Sequence, residues 1–428
     1  MKLKYKFSRQ SFDLAYLTIY FAVLNLMPFA SILIDGGLDN QFIVVDMVGL
    51  YAWVMAGRYL LKLFLRSAFF TFTKIDLLVL FYVFWSFLSF FLYLQPGNPA
   101  DIMAYFYGIH HLVFPISLFF AVKELDHGKQ KSLLVHIVYL NVLTVLAGFF
   151  LFYSKPDFYT AYLRRSFLGS GDLALWQLYA RMNSYVGSTA IANISAVTAI
   201  LIDKLPIATI RKVFFLLIFI VAVFFSGQRA GFLALVLVFL YYLFSRHRFS
   251  IKKAATGLVV VFVFLAFFLA INSRTQSVEF NPVGYVKHRL FHDLINGNAL
   301  GERWVSWVKG WNFFTEFPLG LGIGATTSAA DSQGAHPGGQ VVDANYIRIL
   351  ADLGFIGFAS FLMILFFVLI KSLKLKNGFA YLSIIAIYCM QALGTNIFDS
   401  QYVVHIFWLL LGFIDSDRDM LYNPRKIK

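Results

Sequence analysis

The stretch IDLLVLFYVFWSFLSFFLYLQPGNPAD, Ile75 to Asp101, decides the fold. Its first twenty residues carry one carboxylate and no Lys or Arg. That is the ~20-residue length an α-helix needs to cross the hydrocarbon core of a bilayer. Lys74 precedes it, and a short polar turn without a basic residue, QPGNPAD at 95–101, follows it. Read outward in both directions, the same pattern recurs. Twelve apolar spans are expected, at about 14–34, 41–57, 75–94, 101–122, 132–153, 185–202, 211–226, 231–245, 254–272, 354–370, 379–394 and 401–414. Several are short for a spanning helix, so their ends must extend into polar neighbours.

The composition agrees. The 428 residues are 60% hydrophobic, 19% aromatic and only 14% charged, too little polar surface to cover a soluble core of this size. The expected fold is therefore all-α: one polytopic transmembrane domain over 1–428, with about twelve helices. The formal net charge of +14 is carried by short basic clusters between apolar runs, which excludes a nucleic-acid-binding stripe. The single cysteine, Cys389, lies in an apolar run and excludes an internal disulfide or a cysteine-based metal site. The first run, Leu14 to Ile34, is long enough to span and lacks a small-residue cleavage pattern, so it reads as a signal anchor.

Loop charge fixes the expected orientation. Of the 36 Lys and Arg residues, 25 fall in the N-terminal tail, in every second loop after it, and in the C-terminal tail. Examples are Arg58, Lys62, Arg66 and Lys74, then Lys123, Lys129 and Lys131, then Lys371, Lys374 and Lys376. The intervening loops DGGLDN (35–40), QPGNPAD (95–101) and TNIFDS (395–400) hold none. Positive charge resists translocation, so both termini are expected in the cytoplasm. The other eleven cations fall on the outer side: in a loop at 154–184, in the tight Ser226–Ala230 turn, and in a large loop at 273–353. Long loops translocate regardless of charge, but Arg229, in the turn SGQRAG at 226–231, is a cation without that excuse. It is either a snorkelling side chain or a functional one.

The 273–353 loop is too apolar to be disordered. Trp304, Trp307, Val308, Trp311 and Phe314 recur at helical spacing and predict an amphipathic helix near 302–317, lying along the outer leaflet. Pro318 ends it. The run Gly320-Leu-Gly-Ile-Gly324 lacks the preceding strand and following Lys-Ser/Thr of a nucleotide loop, and reads as a flexible turn close to a ligand or another helix. A further helix begins at Asp343, which suits capping, and Gly354 ends it. Tyr346, Ile349, Leu350 and Leu353 would face the protein, with Asn345, Arg348 and Asp352 on the other side. His336 stands alone in a Gly-rich segment without a second ligand at metal spacing. Arg181, just before a span, is placed to meet something anionic.

Outward arginines without matching carboxylates suit a phosphate or pyrophosphate group, which the guanidinium fork binds in bidentate fashion. A lipid-linked sugar diphosphate would place its pyrophosphate at that depth. Fixed cations there would stabilise the charge gained by the leaving pyrophosphate during glycosyl transfer, and a nearby carboxylate or imidazole would accept the proton of the attacking hydroxyl.

Three segments carry a family resemblance: Ser226-Gly-Gln-Arg-Ala-Gly231, Glu302-Arg-Trp through Phe317-Pro-Leu-Gly-Leu-Gly-Ile-Gly324, and Asp343-Ala-Asn-Tyr-Ile-Arg-Ile-Leu-Ala-Asp-Leu-Gly-Phe-Ile-Gly357. In order, spacing and sidedness they resemble the O-antigen ligase and O-antigen or exopolysaccharide polymerase (Wzy-like) superfamily. The resemblance implies a metal-independent, cofactor-free glycosyltransferase of glycosyltransferase C-like architecture in the bacterial inner membrane. Its donor would be an undecaprenyl-pyrophosphate-linked oligosaccharide, and a chain-length regulator protein is a further expected partner. Arg229 and Arg303 match the family's pyrophosphate-binding arginines, Arg181 is a third by position, and Tyr346, Arg348 and His336 join the expected substrate-binding set. The ligase pattern His-Asn-x-Tyr-Leu, aligned on Tyr346, puts Asp343 where its His would stand. Asp343 is therefore the expected catalytic base with Arg303 and Arg229, and a polymerase is favoured over a ligase that would use His336. A flippase for the same lipid-linked units is the remaining alternative; it is disfavoured because the spans are largely free of Lys and Arg and show no internal repeat.

Overall fold

The computed structural model describes residues 8–33, 41–65, 72–93, 99–166, 182, 185–244, 298–327, 342–375 and 377–416. Regular structure among the described residues is helical throughout. In chain order the helices are α1 (Arg9–Leu33), α2 (Gln41–Leu65), α3 (Lys74–Tyr93), α4 (Pro99–Gly108), α5 (Ser117–Ala121), α6 (His127–Ser154), α7 (Asp157–Ser166), α8 (Ser188–Lys204), α9 (Thr209–Phe225), α10 (Arg229–Phe244), α11 (Asn298–Glu316), α12 (Asn345–Lys374), α13 (Gly378–Gly394) and α14 (Gln401–Asp415). A π turn, Ile109–Val113, and a 3-10 turn, Phe114–Ile116, join α4 to α5.

Eleven of the twelve expected spans fall on these helices; the one at 254–272 lies outside the described residues. By length and composition, six helical segments are long and apolar enough to cross a membrane, among them Lys74–Leu92 and Asp101–Glu124. The others are shorter, from 15 residues in α14 to 17 in α8, α9 and α13. At 1.5 Å per residue these reach roughly 23–26 Å, so they meet the bilayer surfaces only through their polar flanks.

α14 lies at the centre of the bundle. Every residue from Tyr402 to Asp415 is buried, as expected for a helix apolar on all faces. It packs on α5, α12 and α1, while α8, buried along most of its length, packs on α9, α10 and α13. The periphery instead exposes large apolar side chains such as Phe84, Phe91, Phe150 and Phe366, the surface a lipid-facing helix presents. Buried amides and hydroxyls tie the helices where apolar packing alone has no register. Asn141 on α6 accepts from Tyr402 at 2.7 Å and donates to Thr198 at 2.7 Å, and Asn193 on α8 donates to Gln391 on α13 at 2.8 Å.

The two ends of the bundle differ. At the end bearing the basic clusters, Lys123 is 3% exposed and bonds both Asp76, at 2.6 Å, and Asp415. Lys371 reaches the other oxygen of Asp415 at 2.8 Å, Lys62 bonds Glu124, and Arg58 bonds Asp13 at 2.9 Å. At the opposite end lie the turn at 226–231, α11, the glycine loop and the 395–400 turn.

Candidate functional site

Helix α12 is two helices in line. Gly354, at φ 64° and ψ −167°, breaks the hydrogen-bond ladder, so the expected stop at this glycine is present, and a second helix resumes directly after it. The first half, Asn345–Leu353, ends with carbonyls that need donors. The glycine loop supplies them: Leu321 N–H donates to Ala351 O and Gly322 N–H to Asp352 O, each at 2.9 Å, and Phe355 N–H donates back to Pro318 O at 3.0 Å. Trp85 on α3 donates its indole N–H to Leu353 O at 2.8 Å.

The glycines at 320, 322 and 324 all have positive φ, and two of them have no room for a side chain. A Cβ on Gly324 would come within 2.1 Å of Ala104 O, and one on Gly320 within 2.4 Å of Asp352 O. The loop is a buried wedge between α3, α4 and α12 and not a flexible turn, a correction to half of the sequence reading. The other half, close approach to another helix, is what the geometry displays. Its amide groups are also occupied. Gly324 and Thr326 N–H point at the Asp352 carboxylate, at 3.2 and 2.9 Å, and Thr326 Oγ1 adds a third bond at 2.8 Å. The anion cradled by this loop is the protein's own.

Asp352 in turn faces Arg348, one helical turn earlier, with Nε–Oδ2 at 3.7 Å, and Arg348 also bonds Asp399 of the 395–400 turn. Arg348 is 1% exposed. Two sequence expectations change here. Asn345, Arg348 and Asp352 do not face away from the protein; they are buried along with Ile349, Leu350 and Leu353. Arg348 is also not an arginine without carboxylates. The reason is that the glycine loop and the 395–400 turn cover the polar face of α12's first half, and a buried cation must be paired there.

Asp343 stands at the rim, exposed, with its backbone N–H bonded to Ser306 Oγ at 2.6 Å. It does not cap the helix. The cap position is Ala344, at φ 79°, with no side-chain bond. Tyr346 is half-buried between the Phe361 ring and the Cys389 thiol. Arg181 and His336 lie outside the described residues, although Met182, beside Arg181, donates its N–H to Phe225 O next to the 226–231 turn.

Helix α11 is longer than expected, Asn298–Glu316 against 302–317. Ser306 and Gly310 face the bundle, where a Cβ on Gly310 would meet Ile347 and Val342 within 2.8 Å. Trp304, Val308 and Trp311 are exposed, so the apolar stripe is turned outward, as a helix lying on a membrane requires. Arg303 is half-buried, and its guanidinium lies over Gly394 at the end of α13: a Cβ there would stand 2.8 Å from Nη1.

Arg229 opens α10 after a turn with Gly227 at φ 62°, and the turn is tied to α8 by Gln228 Nε2 donating to Ser188 Oγ at 2.7 Å. α10 and α13 are antiparallel neighbours: Tyr241 stacks on Phe379 at 6.0 Å, at the far end of both. That packing puts Arg229 at the same end of the bundle as Gly394 and Arg303. Arg303, Arg348 and Asp399 are thus joined through the 394–399 segment, and Asp399 is the member that sequence reasoning missed. Its partner is 51 positions away, and nothing in TNIFDS beyond one carboxylate marks it.

A bundle of apolar helices with large apolar side chains exposed on its periphery is the form of a multi-pass membrane protein. Residues 214–362 match the family model described as O-antigen ligase, a segment that holds Arg229, α11, the glycine loop and the first half of α12. The match is consistent with similarity over that segment to the O-antigen ligase and polymerase superfamily, a glycosyltransferase-like group whose members act on lipid-linked oligosaccharides in the membrane. No curated protein matches the chain.

Proposed function

We propose that this protein polymerises undecaprenyl-pyrophosphate-linked repeat units into O-antigen or exopolysaccharide at the outer face of the cytoplasmic membrane. The observation that carries the reading is the placing of Arg229 and Arg303, from segments more than seventy residues apart, at one end of the bundle beside an outward-facing tryptophan helix. Arg229 sits on the first turn of a helix, at the positive end of the macrodipole, where a cation is unfavourable for stability and an anion is welcome. Two guanidinium forks and a helix N-terminus make a seat for pyrophosphate, and no metal is needed to balance the leaving charge. Arg181, outside the described residues, is proposed as a third pyrophosphate-binding arginine and Tyr346 as a substrate-binding residue. The first half of α12 holds the seat in place through the Arg348–Asp399 pair, with both termini of the chain in the cytoplasm.

The test is in cells that make the glycan. Arg229→Ala and Arg303→Ala each abolish long chains and leave single repeats on the acceptor, while the protein still inserts at normal level. Near-normal chain lengths in both variants would sink the reading. One observation favours a second reading: the matching family model is the ligase one. A ligase would move a finished glycan to another acceptor with His336 as base, and its loss accumulates long lipid-linked polymer instead of single repeats.

A further inference from the structure

Helix α6 has 28 residues, about 42 Å of helix, against the ~30 Å of a hydrocarbon core. Tyr139 marks where it enters the bilayer. Its hydroxyl lies 3.4 Å from Nη1 of Arg211, an exposed cation on the first turn of α9, and its ring packs on Phe215. Tyrosine and arginine gather in this way at a membrane–water boundary. The turns of α6 before Tyr139 therefore stand at headgroup depth, at the end that bears the basic clusters.

One face of α6 changes character at that mark. Beyond Tyr139 it carries Leu143, Leu146 and Phe150, exposed and at helical spacing, the surface an acyl chain meets. Before Tyr139 the same face supplies Gly128, Lys131, Ser132, Val135 and His136 to the wall of a cavity of about 210 Å³, closed from the other side by Pro206 in the α8–α9 turn. At roughly 30 Å³ per water, that space takes about seven waters or one small polar headgroup.

The surroundings of the cavity are fixed by their own bonds. Asp203, in the turn before Pro206, accepts from Tyr241 at 2.9 Å and pairs with Lys204 at 3.3 Å, while Lys212 Nζ holds its carbonyl at 2.8 Å. Asp126 caps α6 by accepting from Lys129 N–H at 2.8 Å, and Lys129 Nζ reaches Ser11 of α1 at 3.1 Å. Among the described residues the lining itself holds one lysine and no carboxylate. Thr18 of α1 donates its hydroxyl to Leu14 O at 2.9 Å, so its oxygen accepts from His136 Nδ1, also at 2.9 Å. That bond selects the tautomer with its lone pair on Nε2, an acceptor on an exposed ring.

We propose that this cavity binds the headgroup of an anionic phospholipid, phosphatidylglycerol, from the leaflet at the basic end, the cytoplasmic one in the topology given above. Lys131 and Arg211 attract the phosphate, a glycerol hydroxyl donates to His136, and the acyl chains follow Leu143, Leu146 and Phe150. A free phosphate would make no use of that apolar stripe, and the ammonium of phosphatidylethanolamine would meet cations. The inference stands apart from the transferase reading.

The experiment titrates full-length protein in detergent with dioleoyl phosphatidylglycerol, dioleoyl phosphatidylethanolamine and inorganic phosphate, and follows bound lipid by native mass spectrometry. The wild type is expected to prefer phosphatidylglycerol by about tenfold, on the scale of one to two lysines or arginines at a lipid surface. Inorganic phosphate displaces none of it. Equal binding of the two lipids overturns the proposal, as does displacement by phosphate, which would make this a free-anion site. Lys131→Gln weakens phosphatidylglycerol by about fivefold, the share of one lysine. Ser132→Phe fills the cavity, losing only a bond to Gly128 O of its own helix, and weakens it at least as much. Lys374→Gln, an exposed cation at the same end on α12, leaves it unchanged. A folded Lys131→Gln or Ser132→Phe protein that binds like the wild type overturns the proposal, and so does equal weakening by Lys374→Gln, the mark of diffuse charge. Thermal unfolding in detergent reports folding. If neither cavity variant folds, a photoreactive phosphatidylglycerol decides on the wild type: crosslinks within 128–136 or 205–207 are required, and crosslinks only elsewhere overturn the proposal.

Discussion

Arg348 and Arg303 are both arginines at the loop end of the bundle, yet burial divides their work. Arg348, 1% exposed, lies between Asp352 and Asp399, and its charge is consumed in holding the 395–400 turn to α12. Removing it leaves two carboxylates without their cation, one of them fully buried. Arg348→Met is therefore expected to lose about 3–5 kcal/mol, the usual cost of breaking a buried pair from one side. A melting temperature in detergent checks this, and a variant that melts with the wild type would mean the pair adds nothing. Arg303 is half-buried over Gly394. Arg303→Ala is expected to melt close to the wild type and to fail in chain elongation.

Among the elements, the glycine loop sets the geometry of the site. Its backbone satisfies the last carbonyls of α12's first half and its amides satisfy Asp352, so it holds the helix break at Gly354 open. Gly324→Ala places a Cβ within 2.1 Å of a main-chain oxygen at φ 87°, and is expected to abolish folding or activity together. Gly57→Ala is the matched control. It lies inside α2 with nothing within 4 Å of the new methyl, and is expected to stabilise by about 0.5–1 kcal/mol. Equal behaviour of the two variants in thermal unfolding would refute the wedge. The sequence reading recognised the glycine run as a place of close approach, but not its partner. A hydrogen bond between residue 352 and residue 324 leaves no periodic trace in the chain.

At the scale of the whole molecule, charge is sorted to the two ends for different purposes. At the lysine-bearing end the buried cation is paired within the protein: Lys123 is 3% exposed between Asp76 and Asp415. Lys123→Met is expected to cost about 3–5 kcal/mol for the same reason as Arg348→Met, and its effect on chain length should be no greater than its effect on protein level. Orientation is tested by labelling. With Cys389 replaced by Ser, a cysteine at Leu319, 42% exposed at the loop end, should react with a membrane-impermeant thiol reagent in intact cells. A cysteine at the exposed Lys374 should react only after the membrane is opened. The reverse pattern would invert the topology.

The chain by itself determined the helical class, the positions of the apolar helices among the described residues, the break at Gly354 and the family segment. Each of these is written locally, in runs of apolar residues, in loop charge and in glycine and proline punctuation. The site's composition was only half legible. Arg229 and Arg303 stood out because short turns and tryptophan helices flag cations within a few residues. Asp399 and the Asp352 cradle did not, because each joins segments tens of residues apart, and helical periodicity carries no information about which face another element will cover. Tertiary packing alone decided that the polar stripe of α12 is buried, and burial decided that its arginine is paired with carboxylates instead of waiting for a ligand.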